Sequence, residues 1–125
     1  MQRSVLLVDD EANIALSLEF AMTRAGYAVR TAADGEAALA AAQAERPDCV
    51  LLDVMMPKLN GYEVCRRLRA DPAFSDVAIV MLTAKGGAVE GEKALALGAD
   101  AFFAKPFSMA EVKRRVAELI GEAQP

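Results

Sequence analysis

Histidine is absent from the 125-residue chain. Serine–histidine and cysteine–histidine catalysis, histidine-ligated metal sites and phosphohistidine carriage by this chain are thereby excluded. Cysteine is scarce: Cys49 and Cys65 each lie inside an apolar or helical run rather than at a ligand spacing, so reduced thiols in a cytosolic protein are the simplest reading. Long hydrophobic runs are missing too. The N-terminal apolar stretch covers only Val5–Val8 before two aspartates interrupt it, which fits neither a signal peptide nor a membrane span, and a cytoplasmic chain with no membrane partner is expected. Positive charge is in deficit, with 14 Lys and Arg against 18 Asp and Glu and a net charge of -4. The basic residues are also scattered, so nucleic acid is not expected as a direct partner.

What remains is a chain able to fill a core, 54% hydrophobic and 26% charged with mean hydropathy +0.21. Its length suits one domain, predicted over residues 1–121 with a short tail over 122–125, and leaves no room for a separate output module. Apolar runs at Val5–Val8, Tyr27–Thr31, Cys49–Leu52, Val77–Leu82 and Ala101–Ala104 mostly lack polar alternation, the pattern of strands buried on both faces of a parallel sheet. Helical segments separate them. Ile14, Leu18, Ala21, Met22 and Ala25 form one stripe that stops at Gly26, and Asp34 can cap a second helix running through Ala44. A third is expected from Asn60-Gly61 to Ala70, where Asp71-Pro72 closes it. A fourth spans Ala88 to Leu97 before Gly98, after a connection softened by Gly86-Gly87. The last begins at Ser108, whose partner Glu111 completes a capping box. Five βα units imply an α/β, flavodoxin-like, three-layer fold with a five-stranded parallel sheet ordered 2-1-3-4-5. That order puts the switch point at the carboxyl ends of strands 1 and 3, where function is sought.

The strands end in Asp9-Asp10, Asp53, Thr83 and Lys105-Pro106. Singly, each has an ordinary explanation: an N-cap for Asp9-Asp10, turn chemistry for Asp53 ahead of Met56-Pro57, a cap or strand end for Thr83, a solvated charge for Lys105 and a strand terminator for Pro106. Together they place three carboxylates, a hydroxyl and an ammonium on one sheet edge. Like charges in one crevice repel unless neutralised, and Mg²⁺ typically takes one or two carboxylates plus phosphate oxygens and waters. Such a site suits a transferring phosphoryl group, with a carboxylate as nucleophile.

The sequence closely resembles the receiver domain of two-component response regulators, single-domain chemotaxis regulators among them. The matching segments are Val5-Leu6-Leu7-Val8-Asp9-Asp10-Glu11, Leu51-Leu52-Asp53-Val54-Met55-Met56-Pro57 with Asn60-Gly61, Met81-Leu82-Thr83-Ala84, and Gly98-Ala99-Asp100 running into Phe102-Phe103-Ala104-Lys105-Pro106-Phe107. The resemblance implies that Asp53 accepts a phosphoryl group from a histidine kinase or histidine phosphotransfer protein. It implies that Asp10 binds Mg²⁺ directly, that Asp9 supports the ion largely through water, and that the Met55 backbone carbonyl is a further ligand. Thr83 would contact the phosphoryl group and move with it, Lys105 would pair with it, and the Lys105-Pro106 peptide would be cis. Phe102 matches the switch aromatic, often tyrosine in this family, and lacks the hydroxyl that would latch an inward state. Met55 and Lys85 flank the site and should influence how water reaches the phosphoaspartate. An effector protein is expected on the face formed by helix 4, strand 5 and helix 5.

Other classes fit less well. A haloacid-dehalogenase-type phosphatase needs a second aspartate two residues after the nucleophile, where this chain has Met55. A flavodoxin-like cofactor module needs a phosphate-cradling loop after strand 1, and that loop is acidic here. A non-phosphorylated docking module usually lacks one of the site groups. One expectation comes from the first helix alone: at about 100° per residue, Leu16 and Phe20 fall roughly 200° and 240° from Ile14 and should face away from the core. Beside Asp9-Asp10, this pair is a candidate docking patch for a helical bundle of the phosphodonor.

Overall fold

The structure is a computed structural model that describes residues 3–56, 59–83 and 88–121. Pro57, Lys85, Gly86-Gly87 and the tail over 122–125, all invoked above, lie outside the described residues. The elements alternate as β1 (Ser4–Val8), α1 (Ala12–Arg24), β2 (Ala28–Ala32), α2 (Gly35–Ala44), β3 (Cys49–Asp53), α3 (Gly61–Ala70), β4 (Ala78–Thr83), α4 (Ala88–Ala96), β5 (Ala101–Ala104) and α5 (Met109–Ile120). The sheet is parallel in the order β2-β1-β3-β4-β5.

Burial explains the order. Every residue of β3 and β4, and all of β1 after Ser4, is buried, whereas β2 and β5 are the half-covered edges. Because side chains alternate across a strand, each strand feeds two cores. Val5, Leu7, Cys49, Leu51, Val80 and Leu82 meet Leu18 and Met22 of α1 and Val112 and Val116 of α5. Leu6, Val50, Leu52, Ile79 and Met81 meet α2, α3 and Ala94 of α4 on the other face. Truncating one of these fully buried leucines to alanine costs about 2–5 kcal/mol. The Cys49 and Cys65 thiols are both free and buried within this interior.

Helix ends follow local chemistry. Asp34, Asn60 and Ser108 accept the backbone N–H of Ala37, Glu63 and Glu111, and Gly26 and Gly98 adopt left-handed φ of 99° and 105° where α1 and α4 stop. The capping explanation of Asp9-Asp10 does not hold. Glu11 is the N-cap of α1 and makes no side-chain cap bond, while Asp9 Oδ1 accepts the Glu11 N–H at 2.8 Å. A 3₁₀ turn over Pro72–Phe74, capped by Asp71 onto the Ala73 N–H, was not anticipated beyond the stop at Asp71-Pro72.

Candidate functional site

Asp53 is the last residue of β3, and its side chain is 2% exposed. A glycine makes that position possible. A Cβ on Gly61 would lie 2.3 Å from the Asp53 carbonyl oxygen, so α3 begins directly against the strand end, and the Gly61 N–H donates to Val54 O at 2.9 Å. Thr83, at the end of the neighbouring β4, is also buried. The Lys105 N–H donates to Thr83 O at 2.6 Å, carrying the β4–β5 ladder up to the cis Lys105–Pro106 peptide.

The charges converge at this edge. Oxygens from Asp9, Asp10 and Asp53 lie within 4.8 Å of one another, with Asp9 and Asp53 buried and Asp10 exposed. The Lys105 ammonium is 3.4 Å from Asp53 Oδ1, 3.3 Å from Asp9 Oδ2 and 2.8 Å from Glu11 Oε1. Burial, then the Asp9 charge, pushes the Asp53 carboxyl up from 3.8 to about 6, against the opposing pull of Lys105 and the Met55 N–H. Burial alone would lower Lys105, but the Glu11 hydrogen bond and the charges of Asp53, Asp9 and Glu11 outweigh it and raise its pKa. Three carboxylates this close are the donor set of a hard divalent cation, and these residues fit Mg²⁺. The Met55 side chain is 53% exposed beside them.

A family model for the response regulator receiver domain matches residues 5–117. The chain belongs to that family. As a receiver domain it is 44% identical to the alkaline phosphatase synthesis transcriptional regulatory protein PhoP of Bacillus subtilis, over 99% of this chain and 51% of PhoP. The chain spans about half the length of the curated relatives it matches first. Among solved structures it resembles the Vibrio cholerae chemotaxis protein CheY4, at 33% identity and TM-score 0.89, covering 95% of this chain and 99% of that one. It also resembles the receiver domain of a Pseudomonas aeruginosa sensor histidine kinase, at 34% identity and TM-score 0.88, covering 98% of this chain and 100% of that one. The latter structure holds a magnesium ion in its active-site cleft.

Two further groupings surround this receiver site. Leu16 and Phe20 are 67% and 64% exposed on α1, with the Arg24 guanidinium 5.6 Å from the Phe20 ring centre. A shallow groove lined by Asp9, Ala12, Leu16 and Thr31 joins the patch to the acidic cluster. Phe102 is half-buried against the α4 side of the core. Sequence reasoning missed how α4 is tied down. The Tyr62 hydroxyl donates to Glu90, Lys93 Nζ sits 4.4 Å from the Tyr62 ring centre, and burial together with Glu90 pushes the phenol up to about 12. It also gave Glu11 no role, although Glu11 directly follows the two aspartates.

Proposed function

We propose that this receiver domain takes a phosphoryl group from a phosphohistidine of a kinase or phosphotransfer protein onto Asp53. The observation that carries the reading is a buried carboxylate at a strand end, with an ammonium 3.4 Å away and two more carboxylates within 4.8 Å. Asp9, Asp10, Asp53 and the Met55 backbone carbonyl would hold Mg²⁺, which when bound offsets the negative charge gathered there. An Asp53 oxygen forms the new O–P bond as the donor's P–N bond breaks, and the electron pair leaves with the imidazole. Lys105 pairs with one phosphoryl oxygen, and the Thr83 hydroxyl donates to another. In slow self-dephosphorylation a water entering past the exposed Met55 side chain attacks the phosphorus, the Asp53 O–P bond breaks, and inorganic phosphate leaves with the Asp53 carboxylate restored.

The modification acts by shifting populations. The acyl phosphate adds charge and acceptor oxygens, which reward the arrangement that brings Thr83 and Lys105 to them, and Phe102 follows on the adjacent strand. Coupling of about 1–3 kcal/mol changes partner affinity roughly 5–150-fold. Leu16 and Phe20 dock the phosphodonor's helical bundle, and α4, β5 and α5 present the switched face. Where the chain is joined to a segment like the remaining half of PhoP, that segment is the switched partner and any DNA contact belongs to it. No helix among the described residues is long and apolar enough to cross a membrane.

Incubation with acetyl phosphate and Mg²⁺ should add one phosphoryl group by mass spectrometry, lost with chelator or with Asp53→Asn. Labelling that survives either change overturns the assignment.

A further inference from the structure

On the reading of Asp53 as phosphoacceptor, we propose that Glu11 is a positioning residue that holds the Lys105 ammonium in the resting state and competes with the phosphoryl group for it. Lys105 Nζ lies 2.8 Å from Glu11 Oε1, nearer than to Asp9 Oδ2 at 3.3 Å or Asp53 Oδ1 at 3.4 Å. An ammonium has three donors, and three carboxylates already surround this one. Transfer onto Asp53 turns one of these carboxylates into the acyl phosphate itself, so the phosphoryl oxygens inherit its place and share Lys105 with Asp9 and Glu11.

Exposure decides which partner leaves. Of the two carboxylates that remain after transfer, the Asp9 side chain is 0% exposed, so stripping it of its counter-charge leaves a buried carboxylate that water cannot reach. The Glu11 side chain is 55% exposed and is rehydrated as soon as it lets go. Its backbone is nevertheless fixed. The Glu11 N–H donates to Asp9 Oδ1 at 2.8 Å and its carbonyl accepts from the Ala15 N–H at 3.0 Å, so the carboxylate is presented to Lys105 from a rigid helix start. Glu11 thus clasps the lysine at the mouth of the crevice while the buried aspartates hold it from the floor. Drawing Lys105 from Glu11 toward a phosphoryl oxygen gives up this half-exposed ion pair, and its strength sets how readily the switch is thrown.

The test uses beryllofluoride, a non-covalent phosphoryl mimic, titrated with Mg²⁺ and followed by ¹⁹F NMR. Glu11→Gln keeps the length of the side chain and removes its charge. Affinity is expected to rise roughly 2–5-fold, the range of a half-exposed ion pair, with Glu11→Asp falling between. In a Lys105→Ala background the effect of Glu11→Gln should disappear. A rise that persists there is a through-space charge effect and overturns the proposal, as does no rise in either background. A second readout needs no mimic: in donor-free, metal-free protein, the Lys105 ammonium ¹H–¹⁵N signal should shift and broaden with Glu11→Gln. An unmoved signal shows that Glu11 does not hold the lysine. Failure of the unsubstituted protein to bind beryllofluoride at all overturns the Asp53 reading and the competition with it, an outcome distinct from the other failures.

Discussion

A Cβ on Gly91 would stand 3.3 Å from Cδ2 and 3.6 Å from Cε2 of Phe102, so the ring of β5 rests against bare backbone of α4. On the reading of Phe102 as the switch aromatic, that seam must accommodate its movement. Gly91→Ala should gain about 0.5–1 kcal/mol of helix propensity but press the ring aside by a few tenths of an ångström. The expected outcome is a thermal stability within about 1 kcal/mol of the original together with displaced Phe102 ring signals in aromatic NMR. The unsubstituted domain, lacking a hydroxyl latch, should show Phe102 sampling inward and outward rotamers and changing environment when beryllofluoride binds. An unchanged ring environment counts against Phe102 as a switch.

Asp53 carries a folding penalty. Its carboxyl is raised from 3.8 to about 6, so folding disfavours the charged form. Above pH 6 the folded domain bears the full cost, which is relieved as pH falls through 6 and is absent below about pH 4, where both states are protonated. Asp53→Asn should therefore stabilise the metal-free domain at neutral pH by about 1–3 kcal/mol, at ~1.4 kcal/mol per pKa unit, because Lys105 keeps Asp9 and Glu11 as partners. Thermal melts across pH check this. A gain independent of pH would remove burial of charge as its cause.

Lys105→Ala should leave Mg²⁺ affinity in place, since the carboxylates of the cluster come from the ends of β1 and β3. Asp53 should still be labelled, while the label no longer changes partner affinity. Calorimetric loss of Mg²⁺ binding in this variant would mean that the lysine is needed to assemble the metal site.

The double change Leu16→Ser and Phe20→Ser should leave the melting curve and acetyl phosphate labelling nearly intact, because both side chains are mostly exposed. Transfer from the cognate phosphodonor should slow sharply, by tenfold or more if about 1.4 kcal/mol of docking energy is lost. Equal loss in both assays would make the pair structural, and no loss in either would leave it idle.

Sheet order was legible because β1, β3 and β4 are continuous apolar runs, which only a sheet covered on both faces tolerates. The acidic residues, Thr83 and Lys105 were legible because they stand at the ends of β1, β3, β4 and β5, and strand order turns sequence position into proximity. Glu11 and Lys105 were not paired, since 94 residues separate them and their contact depends on how the segments that follow β1 and β5 come together. The Tyr62–Glu90–Lys93 tie was hidden for the same reason: helical spacing tells which face is inward, not which neighbour it meets. Taken alone, Asp9 also read as a cap, because an aspartate before a helix carries the same local signal whether it bonds N2, N3 or the cap residue itself.

The buried thiols have a practical consequence. Burial pushes Cys49 up to about 12 and raises Cys65 as well, so neither offers a thiolate to maleimide reagents while the domain is folded. Val89, 75% exposed on α4, then becomes a convenient attachment point: Val89→Cys supplies one reactive handle with both native cysteines left in place. On the reading of α4 as part of the switched face, a fluorophore there follows the switch in real time without disturbing the interior that positions Asp53.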